Sequence, residues 1–344
     1  MADRLRWAVM GTGLIAGILP RINEADGCVV AGVASRDRDR ARAFSEKHGV
    51  DPAGACTYEE LIVRDDIDAV YVALPNHLHV EWCERLLGAG KHVLCEKPLA
   101  LSAAEVKRAC DAAERAGRVL AEGFMFMHHA QTDRLAEIAR AGETPGSIIG
   151  DPLMIEADRC ADLRHGLTVN TRFSHAMQGG AMSDLGCYPL AIASWITGRH
   201  AVSGRGVARI TAPLQGETKG VDGSMAFAVE LEGGVLVSGV CSIESDEPRA
   251  VFRLIGTWGE VSTGWAWSPD PDRAEIRWRR YAAHPQSEGE GVIAVEHAGD
   301  KIVNQFARFA AAVRGEMPAV PDHGWMIGHA RTMELVYESA GMVW

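Results

Sequence analysis

The chain has 344 residues, which exceeds the usual size of a single hydrophobic core, so two domains are expected. Its residues are 47% apolar and 24% charged, as in a water-soluble globular protein. The formal net charge is −11, and no basic stripe stands out to neutralise phosphates, which argues against a nucleic-acid partner.

Cysteine usage and the N-terminal sequence bear on the cellular compartment. The eight cysteines are scattered and form no CxxC pair, which indicates reduced, mostly buried thiols. The first predicted strand begins almost at once, leaving no room for a signal peptide, and no uncharged apolar run reaches the roughly 18–20 residues of a membrane span. We therefore predict a cytoplasmic protein without a membrane partner.

Residues 5 to about 123 alternate short apolar strands with amphipathic helices. Strands are predicted at Leu5–Met10, Cys28–Ala34, Ile67–Leu74, His92–Cys95 and Val119–Glu122, and helices at about 14–25, 37–48, 77–89 and 103–116. Ser102 with Glu105 three residues later predicts a capping box at the start of the last helix. This alternation predicts a doubly wound parallel sheet, and hence an α/β Rossmann domain over residues 1–123.

The pattern changes after residue 124. A helix is predicted at about 130–141, a strand at about 152–160 and a helix at about 182–197, followed by alternating strands around a hairpin turn at Glu232-Gly233-Gly234 and helices at about 300–314 and 325–341. Residues 124–344 are therefore predicted to form an α+β domain with an open, mainly antiparallel sheet. Its C-terminal helices are expected to pack back on the first domain.

The segment "VMGTGLIAG" directly follows the first strand. Gly11 allows the tight turn and Gly13 lets a pyrophosphate approach the backbone, at the start of a helix whose free N–H groups favour an anion. The predicted dinucleotide contacts in this loop are Gly11, Thr12, Gly13, Leu14 and Ile15.

The end of the second strand indicates which dinucleotide is bound. An NAD site usually has an acid here, roughly 20 residues past the glycines, whereas this chain has Ser35 followed by Arg36, which suit a 2′-phosphate. Two alternatives remain: Ser35 and Asp37 cap the next helix while Arg36 is solvated, or Asp37 supplies the acid. We predict NADP as the preferred cofactor, with NAD possible.

Two further strand ends lie on the same predicted rim as the glycine loop. One is followed by "PNHLH" and the other ends in "CEKP", which holds a lysine between an acid and a proline. Because strand carboxyl ends border the ligand crevice of such a sheet, cofactor contacts are predicted at Leu74, Asn76, His79, Glu96 and Lys97. For His79, packing or a hydrogen bond at the helix start is the alternative. His77 and His79 diverge on a helix, so no metal site is predicted.

Another conspicuous segment is "GGAMSDLGCYPL". Two glycines precede a helix on which Asp184 and Tyr188 are spaced i,i+4 and share one face. Pro189 requires the helix start or a kink nearby. The residues alone leave open an ordinary amphipathic helix with an exposed aspartate and a core tyrosine.

In order and spacing, "GTGLIAG", "PNHLH", "CEKP", "GFMFMHH" and "GGAMSDLGCYPL" resemble the Gfo/Idh/MocA family of oxidoreductases across essentially the whole chain. The tyrosine resembles the branch that includes glucose–fructose oxidoreductase, dimeric dihydrodiol dehydrogenase and anhydrofructose reductase. The resemblance implies a Rossmann domain followed by an α+β domain whose sheet often forms a dimer face. It also implies reversible hydride transfer between nicotinamide C4 and a secondary alcohol or ketone of a sugar, polyol or cyclic diol.

Carried onto this chain, the resemblance implies that Lys97 and Tyr188 flank the reacting oxygen, with Asp184 beside them as the third catalytic residue. A free tyrosine, with a pKa of about 10, is a poor base near neutrality, and a nearby lysine ammonium would lower that pKa. Tyr188 is therefore predicted to exchange the proton, and Asp184 to orient the substrate or the lysine. Lys97 is predicted to lower the pKa of Tyr188, to polarise the substrate oxygen and to contact the nicotinamide ribose.

Several other residues have weaker signals. His128 is a candidate substrate contact, with a structural or solvated His128-His129 pair as the alternative. Arg172 is predicted to meet a cofactor or substrate oxygen, with a surface salt bridge as the alternative. Trp265 and Trp267 alternate as on one face of a strand and are expected to lie in the core or on a dimer surface.

The sequence thus predicts an NADP(H)-dependent oxidoreductase acting on a sugar or cyclic polyol, with no metal. One alternative is a trans-dihydrodiol dehydrogenase, and another is a non-catalytic NAD(P)-binding regulatory protein. A homodimer or homotetramer through the sheet of the second domain is expected.

Overall fold

A computed structural model of the chain describes residues 4–166, 169–282, 284–296 and 299–344. The described residues divide into two compact units. The first unit runs to Phe124 and includes Ile302–Ile327; the second consists of Met125–Lys301 and Gly328–Trp344.

A six-stranded parallel sheet forms the centre of the first unit. Its strands are β1 Leu5–Met10, β2 Cys28–Ser35, β3 Ala55–Thr57, β4 Ala69–Val72, β5 His92–Cys95 and β6 Leu120–Glu122, in the order β3-β2-β1-β4-β5-β6. The chain reverses its direction of winding between β1 and β4, which is where ligands bind in sheets of this kind. The helices are α1 Leu19–Glu24, α2 Arg38–Lys47, α3 Tyr58–Ile62, α4 His79–Gly88 and α5 Ala103–Ala116.

A later helix, α9 Lys301–Val313, supplies part of the first unit's core. The rings of Phe306 and Phe309 each lie 5.0 Å from the Trp7 ring of β1, centroid to centroid. Phe306 also meets the Tyr71 ring of β4 edge-on at 5.5 Å. These aromatic side chains belong to one buried hydrophobic cluster of the first unit.

An eight-stranded, mainly antiparallel sheet forms the second unit. Its strands are β7 Pro152–Asp162, β8 Ala201–Ile210, β9 Asp222–Leu231, β10 Val235–Ser242, β11 Glu244–Gly256, β12 Gly259–Gly264, β13 Arg273–Arg280 and β14 Gly289–Glu296, in the order β14-β13-β12-β11-β7-β10-β9-β8. The β7–β10 pair is parallel and the other pairs are antiparallel. The helices α6 Ala130–Arg140, α7 Val169–Arg172 and α8 Cys187–Thr197 belong to this unit. The last helix, α10 His323–Ser339, belongs to the first unit up to Ile327 and to the second unit from Gly328.

The two sheets confirm the predicted fold class. The predicted hairpin is present: β9 and β10 pair around Gly233 and Gly234, which have φ of +74° and +80°, a backbone conformation that glycine adopts without strain. The predicted helix at 14–25 is instead a 3₁₀ turn, Ile15–Ile18, followed by α1, which starts one residue before Pro20. A proline fits this first-turn position because the N–H it lacks has no partner within the helix there.

Two further properties concern the described residues only. All eight cysteines are buried and free. In the part of the chain that the structure describes, no helix is both long and apolar enough to cross a membrane.

Candidate active site

The glycine loop between β1 and the 3₁₀ turn needs glycine at one position and has open space at another. Gly11 has φ of +116°, and a Cβ there would overlap the carbonyl oxygen of Ala73, so only glycine fits. A Cβ on Gly13 would meet nothing within 4 Å, which leaves room over the loop for a ligand. Leu14 and Ile15 follow with exposed side chains.

The end of β2 carries the residues predicted to select the cofactor. Ser35 is only 2% exposed, whereas the Arg36 side chain is exposed. Asp37 caps α2, since its carboxylate accepts the main-chain N–H groups of Asp39 and Arg40 at 2.8 and 3.1 Å. Of the two predicted caps, only Asp37 therefore acts as the N-cap.

Arg40 was missed by the sequence analysis. Its Nε donates a hydrogen bond of 2.7 Å to Thr12 Oγ1, so α2 sends a guanidinium to the glycine loop. The signal was present in the sequence as one of three arginines that follow Arg36 at alternate positions, and Arg40 falls in the first turn of α2.

The segment that carries Lys97 is anchored by two buried acids. Glu96 accepts a hydrogen bond from the Tyr71 hydroxyl through Oε1, and from the Lys97 main-chain N–H through Oε2 at 3.2 Å. Glu122, at the end of β6, accepts the N–H of Leu99 at 2.8 Å. Carboxyl groups therefore hold the backbone at Lys97 and two residues beyond it, and the Lys97 side chain is half-buried.

Glu122 is a second residue that the sequence analysis missed. Burial, reinforced by the nearby Glu96 charge, raises the pKa of Glu122 to about 8. A carboxyl group of this kind is costly to bury, and here it stabilises a turn that the sheet alone would leave with an unpaired N–H. The signal was an acid at the end of a strand otherwise predicted to be buried.

His79 connects two of the predicted rim segments. It is fully buried, and its Nδ1 and Nε2 lie 2.8 Å from the carbonyl oxygens of Pro98 and Leu74 respectively. Burial lowers the pKa of His79, and a neutral imidazole donates to one of these carbonyls at a time. His79 thus ties the end of β4 to the lysine segment, beside the short 3₁₀ turn that starts at Asn76.

In the second unit, Asp184 and Tyr188 lie on one continuous helical segment with an irregular start. A π turn, Met182–Gly186, precedes α8, and Asp184 lies within the turn. Pro189 has no N–H to donate to the carbonyl four residues earlier, so regular α-helical bonding cannot run through it. Tyr188 is 6% exposed, and its ring lies 6.4 Å from that of Phe126.

The entry to this helix is fixed by a buried aspartate, Asp222 at the start of β9. Its Oδ2 accepts the main-chain N–H of Met182 at 2.6 Å, and burial raises its pKa to about 7. Gly180 has φ of +120°, and a Cβ there would overlap Asp222 Oδ1. Asp222 therefore packs against the glycine turn and positions the first residues of the helix that carries Asp184.

Arg172 lies at the end of α7, and its Nε lies 2.6 Å from Asp184 Oδ2. The two side chains are 28% and 17% exposed, so the ion pair is half-buried rather than a solvated surface bridge. The guanidinium fixes the orientation of the Asp184 carboxylate.

The two adjacent histidines have different environments. His128 is buried in a 3₁₀ turn, Met125–His128. His129 caps α6: its Nδ1 accepts the Gln131 N–H at 3.1 Å, and its Nε2 donates to the Asp270 carbonyl at 3.1 Å. His129 is therefore structural, and the substrate contact predicted for His128 stays a prediction.

The interpretation of the two tryptophans as one strand face is wrong. Strand β12 ends at Gly264, and Trp265, with φ of +53°, is about half exposed. Trp267 is buried, and the Arg159 guanidinium carbon lies 5.4 Å from the centre of its ring and 4.6 Å from that of Tyr188. Arg159, on β7, was not identified from the sequence.

The structure thus brings together two groups of predicted residues, each within its own unit. The first contains Leu74, His79, Glu96 and Lys97; the second contains Arg172, Asp184 and Tyr188. Within the described ranges, no group of three or more His, Cys, Asp or Glu residues could hold a metal ion.

Comparison with known proteins identifies the two halves of the chain. Residues 5–124 match the family model described as "oxidoreductase family, NAD-binding Rossmann fold" of the Gfo/Idh/MocA group. Residues 145–262 match the model of the Gfo/Idh/MocA C-terminal domain.

Named relatives are enzymes of sugar and cyclic diol chemistry. The chain is 35% identical to a dTDP-3,4-didehydro-2,6-dideoxy-α-D-glucose 3-reductase of Streptomyces violaceoruber, over 90% of this chain and 85% of the relative. It is 32% identical to a trans-1,2-dihydrobenzene-1,2-diol dehydrogenase of Mus musculus, over 77% and 76% respectively. Among solved structures, a 3-ketoreductase from Actinomadura kijaniata in complex with NADP and TDP-benzene matches with a TM-score of 0.83 and 26% identity over 98% of both chains.

Proposed function

This chain belongs to the Gfo/Idh/MocA family of oxidoreductases, and we propose that it transfers a hydride reversibly between NADP(H) and a secondary alcohol or ketone of a sugar or cyclic polyol. The family and its named members show that the chain is an NAD(P)-dependent oxidoreductase that acts on CH–OH groups of a small molecule. The preference for NADP and the sugar or polyol substrate are the proposal. The observation that carries this proposal is the buried helix that holds Tyr188, next to an Asp184 carboxylate that is paired with Arg172.

The glycine loop fits a nicotinamide dinucleotide. Gly11 adopts a turn that excludes a Cβ, and Gly13 leaves open space where a pyrophosphate would approach the main chain. The proposed contacts are Gly11, Thr12, Gly13, Leu14, Ile15, Ser35, Arg36, Leu74, Asn76, Glu96 and Lys97, with His79 as support behind them. When bound, the nicotinamide supplies or accepts the hydride.

The chain's own residues supply the proton chemistry and the orientation. We assign the proton donor and acceptor to the Tyr188 hydroxyl, and the polarisation of the reacting oxygen to the Lys97 ammonium. Asp184, fixed by Arg172, orients substrate hydroxyl groups. Glu96 and Glu122 hold the backbone around Lys97, so the main-chain position from which its side chain extends is fixed.

The preference for NADP is supported by two arginines near the glycine loop. Arg36 is exposed at the end of β2, and Arg40 reaches Thr12 from the first turn of α2. A guanidinium offers paired, charge-assisted hydrogen-bond donors to a phosphate. Asp37, the acid that could otherwise hold a ribose hydroxyl, uses its carboxylate to cap α2.

Replacing both arginines, in an Arg36→Ala, Arg40→Ala variant, should raise the KM for NADP at least tenfold and leave the KM for NAD within about twofold, because only NADP carries the 2′-phosphate. Steady-state kinetics with both cofactors measure this. Arg42→Ala removes an exposed arginine from the same helix and is the matched control. An equal rise for both cofactors would contradict the assignment.

Two alternatives remain. A trans-dihydrodiol dehydrogenase is favoured by the mouse relative, which has 32% identity, and the same proton-transfer residues would serve it. A binding protein without turnover would need no fixed proton donor, so the buried Tyr188 beside a paired Asp184 argues against it.

Assembly through the open sheet and a cytoplasmic location are also part of the proposal. The solvent side of that sheet carries exposed apolar side chains at Leu236, Val240, Val251 and Val292, as expected for a face covered in a homodimer or homotetramer. Eight buried free thiols suit a reducing compartment.

A cofactor-oxidation screen tests the proposed function. NADPH and NADP are offered with keto-sugars, sugars, polyols and cyclic diols, and absorbance of the reduced nicotinamide is followed. We expect turnover with at least one sugar or polyol. Turnover with cyclic diols alone would support the dehydrogenase alternative, and tight NADPH binding without any turnover would support the binding protein.

A further inference from the structure

Arg159 is a cation that the proposed proton chemistry does not use. Strand parity places it on the same face of β7 as Ile155 and Ala157, which are both buried. Its guanidinium lies over the rings of Tyr188 and Trp267, at 4.6 and 5.4 Å from their centres. Two aromatic rings therefore hold the guanidinium beside the proposed proton donor.

The described residues leave part of the hydrogen-bonding capacity of this guanidinium unused. Its Nε and Nη1 are shielded from solvent and find no hydrogen-bond partner among the described residues. Buried donors are almost always paired, because an unpaired one loses its hydration without compensation. A ligand that accepts hydrogen bonds at this point would complete the site.

The charge of Arg159 is also uncompensated within the described part of the chain. The nearest acid in sequence, Asp158, lies on the opposite face of β7 and pairs with Arg249 at 2.5 Å. The acid of the catalytic helix, Asp184, pairs with Arg172. Since both carboxylates are committed to other arginines, the missing partner is expected to carry a negative charge.

We propose that Arg159 binds an oxyanion of the substrate, a carboxylate or a phosphate, carried close to the carbon that is oxidised or reduced. A planar guanidinium forms paired hydrogen bonds with either group, and its position over the Tyr188 ring keeps the anion near the phenol. The substrate class is therefore an anionic sugar: an aldonate, a uronate or a sugar phosphate. This inference rests on the proposed function, since it names the substrate of the same site.

The test compares anionic sugars with neutral sugars of the same configuration. Aldonates, hexuronates and hexose phosphates are each paired with the neutral hexose or polyol, and kcat and KM are measured for the wild type and for Arg159→Met. We expect the wild type to favour one anionic class at least tenfold in kcat/KM. Arg159→Met should abolish this preference through KM, leaving neutral sugars within about twofold. The carboxylate and phosphate arms identify which anion is bound.

Two further variants separate recognition from a structural role. Arg159→Lys keeps the charge without the paired donors and should restore part of the preference. Arg249→Met removes an arginine that faces the other side of the sheet and should leave the preference unchanged. Two results would overturn the inference: a wild type without a preference for anions, or an Arg159→Met variant whose kcat falls equally for anionic and neutral sugars, as it would if Arg159 only held Tyr188 in place.

Calorimetry distinguishes failure of this inference from failure of the proposed function. If the wild type turns over no substrate, the proposed function fails, and binding of the same anions to the NADPH-loaded protein is measured instead. Anion binding that weakens at least tenfold in Arg159→Met would still support the inference. Equal binding by the two proteins, or no binding by either, would refute it.

Discussion

The Tyr188→Phe variant should lose about 10³-fold in kcat while its dissociation constant for NADPH stays within about twofold of the wild type. Phenylalanine keeps the ring that packs beside Phe126 and Arg159 and removes only the hydroxyl group. Because we assign proton exchange to that hydroxyl, the chemical step should fail and cofactor binding should survive. Stopped-flow turnover and fluorescence titration of NADPH measure the two quantities.

A matched control removes a tyrosine hydroxyl elsewhere in the same unit. Tyr281 donates a 2.8 Å hydrogen bond to Glu260, away from the helix that carries Asp184, so Tyr281→Phe should leave kcat within about twofold. Lys97→Met is the companion change and should also reduce kcat severely with the cofactor still bound. Near-wild-type turnover in either Tyr188→Phe or Lys97→Met would remove that residue from the mechanism.

Gly180→Ala should lower the free energy of unfolding by about 3–5 kcal/mol, far more than a typical single substitution. The added Cβ would overlap Asp222 Oδ1, so the buried carboxyl group must move. This movement would weaken the hydrogen bond that the carboxyl group accepts from the Met182 N–H. An alanine at φ of +120° is also strained. Urea denaturation followed by circular dichroism measures the loss.

Gly146→Ala separates backbone strain from the steric overlap. Gly146 has φ of +91° in the same unit, and a Cβ there would meet nothing within 4 Å. Its replacement should cost only the backbone term, about 1–2 kcal/mol. If Gly180→Ala were no worse than Gly146→Ala, the packing of Asp222 against the glycine turn would not contribute to stability.

The sequence predicted the elements that have a strong periodic pattern and missed those that have none. β1, β2, β5 and α5 are apolar runs or amphipathic repeats bounded by turn or capping residues, and each was predicted within one residue at either end. β3 has only three residues, which is too short for any period. β8 contains Gly204 and Gly206 at two of its inward-pointing positions, so its alternation is lost.

The residues of the candidate site also fall into two groups, those that the sequence predicted and those that it missed. Gly11, Lys97, Asp184 and Tyr188 belong to local segments whose spacing carries a signal. Glu122 and Asp222 do not, because an acid looks the same in sequence whether it is solvated or buried against a main-chain N–H. Arg159 was missed because its environment is not local in sequence. The two rings that enclose it come from segments about 30 and 110 residues further along the chain.

Transfer of deuterium from NADPH to a sugar product tests the central claim most directly. NADPH deuterated at C4 is incubated with the protein and with the keto-sugar that gives the fastest oxidation of NADPH in the screen. The sugar product is analysed by mass spectrometry and NMR. We expect one deuterium on the carbon that becomes the secondary alcohol. In Tyr188→Phe the transfer should be about one-thousandth as fast as in the wild type. Reduction without deuterium on that carbon, or wild-type transfer by Tyr188→Phe, would contradict this claim.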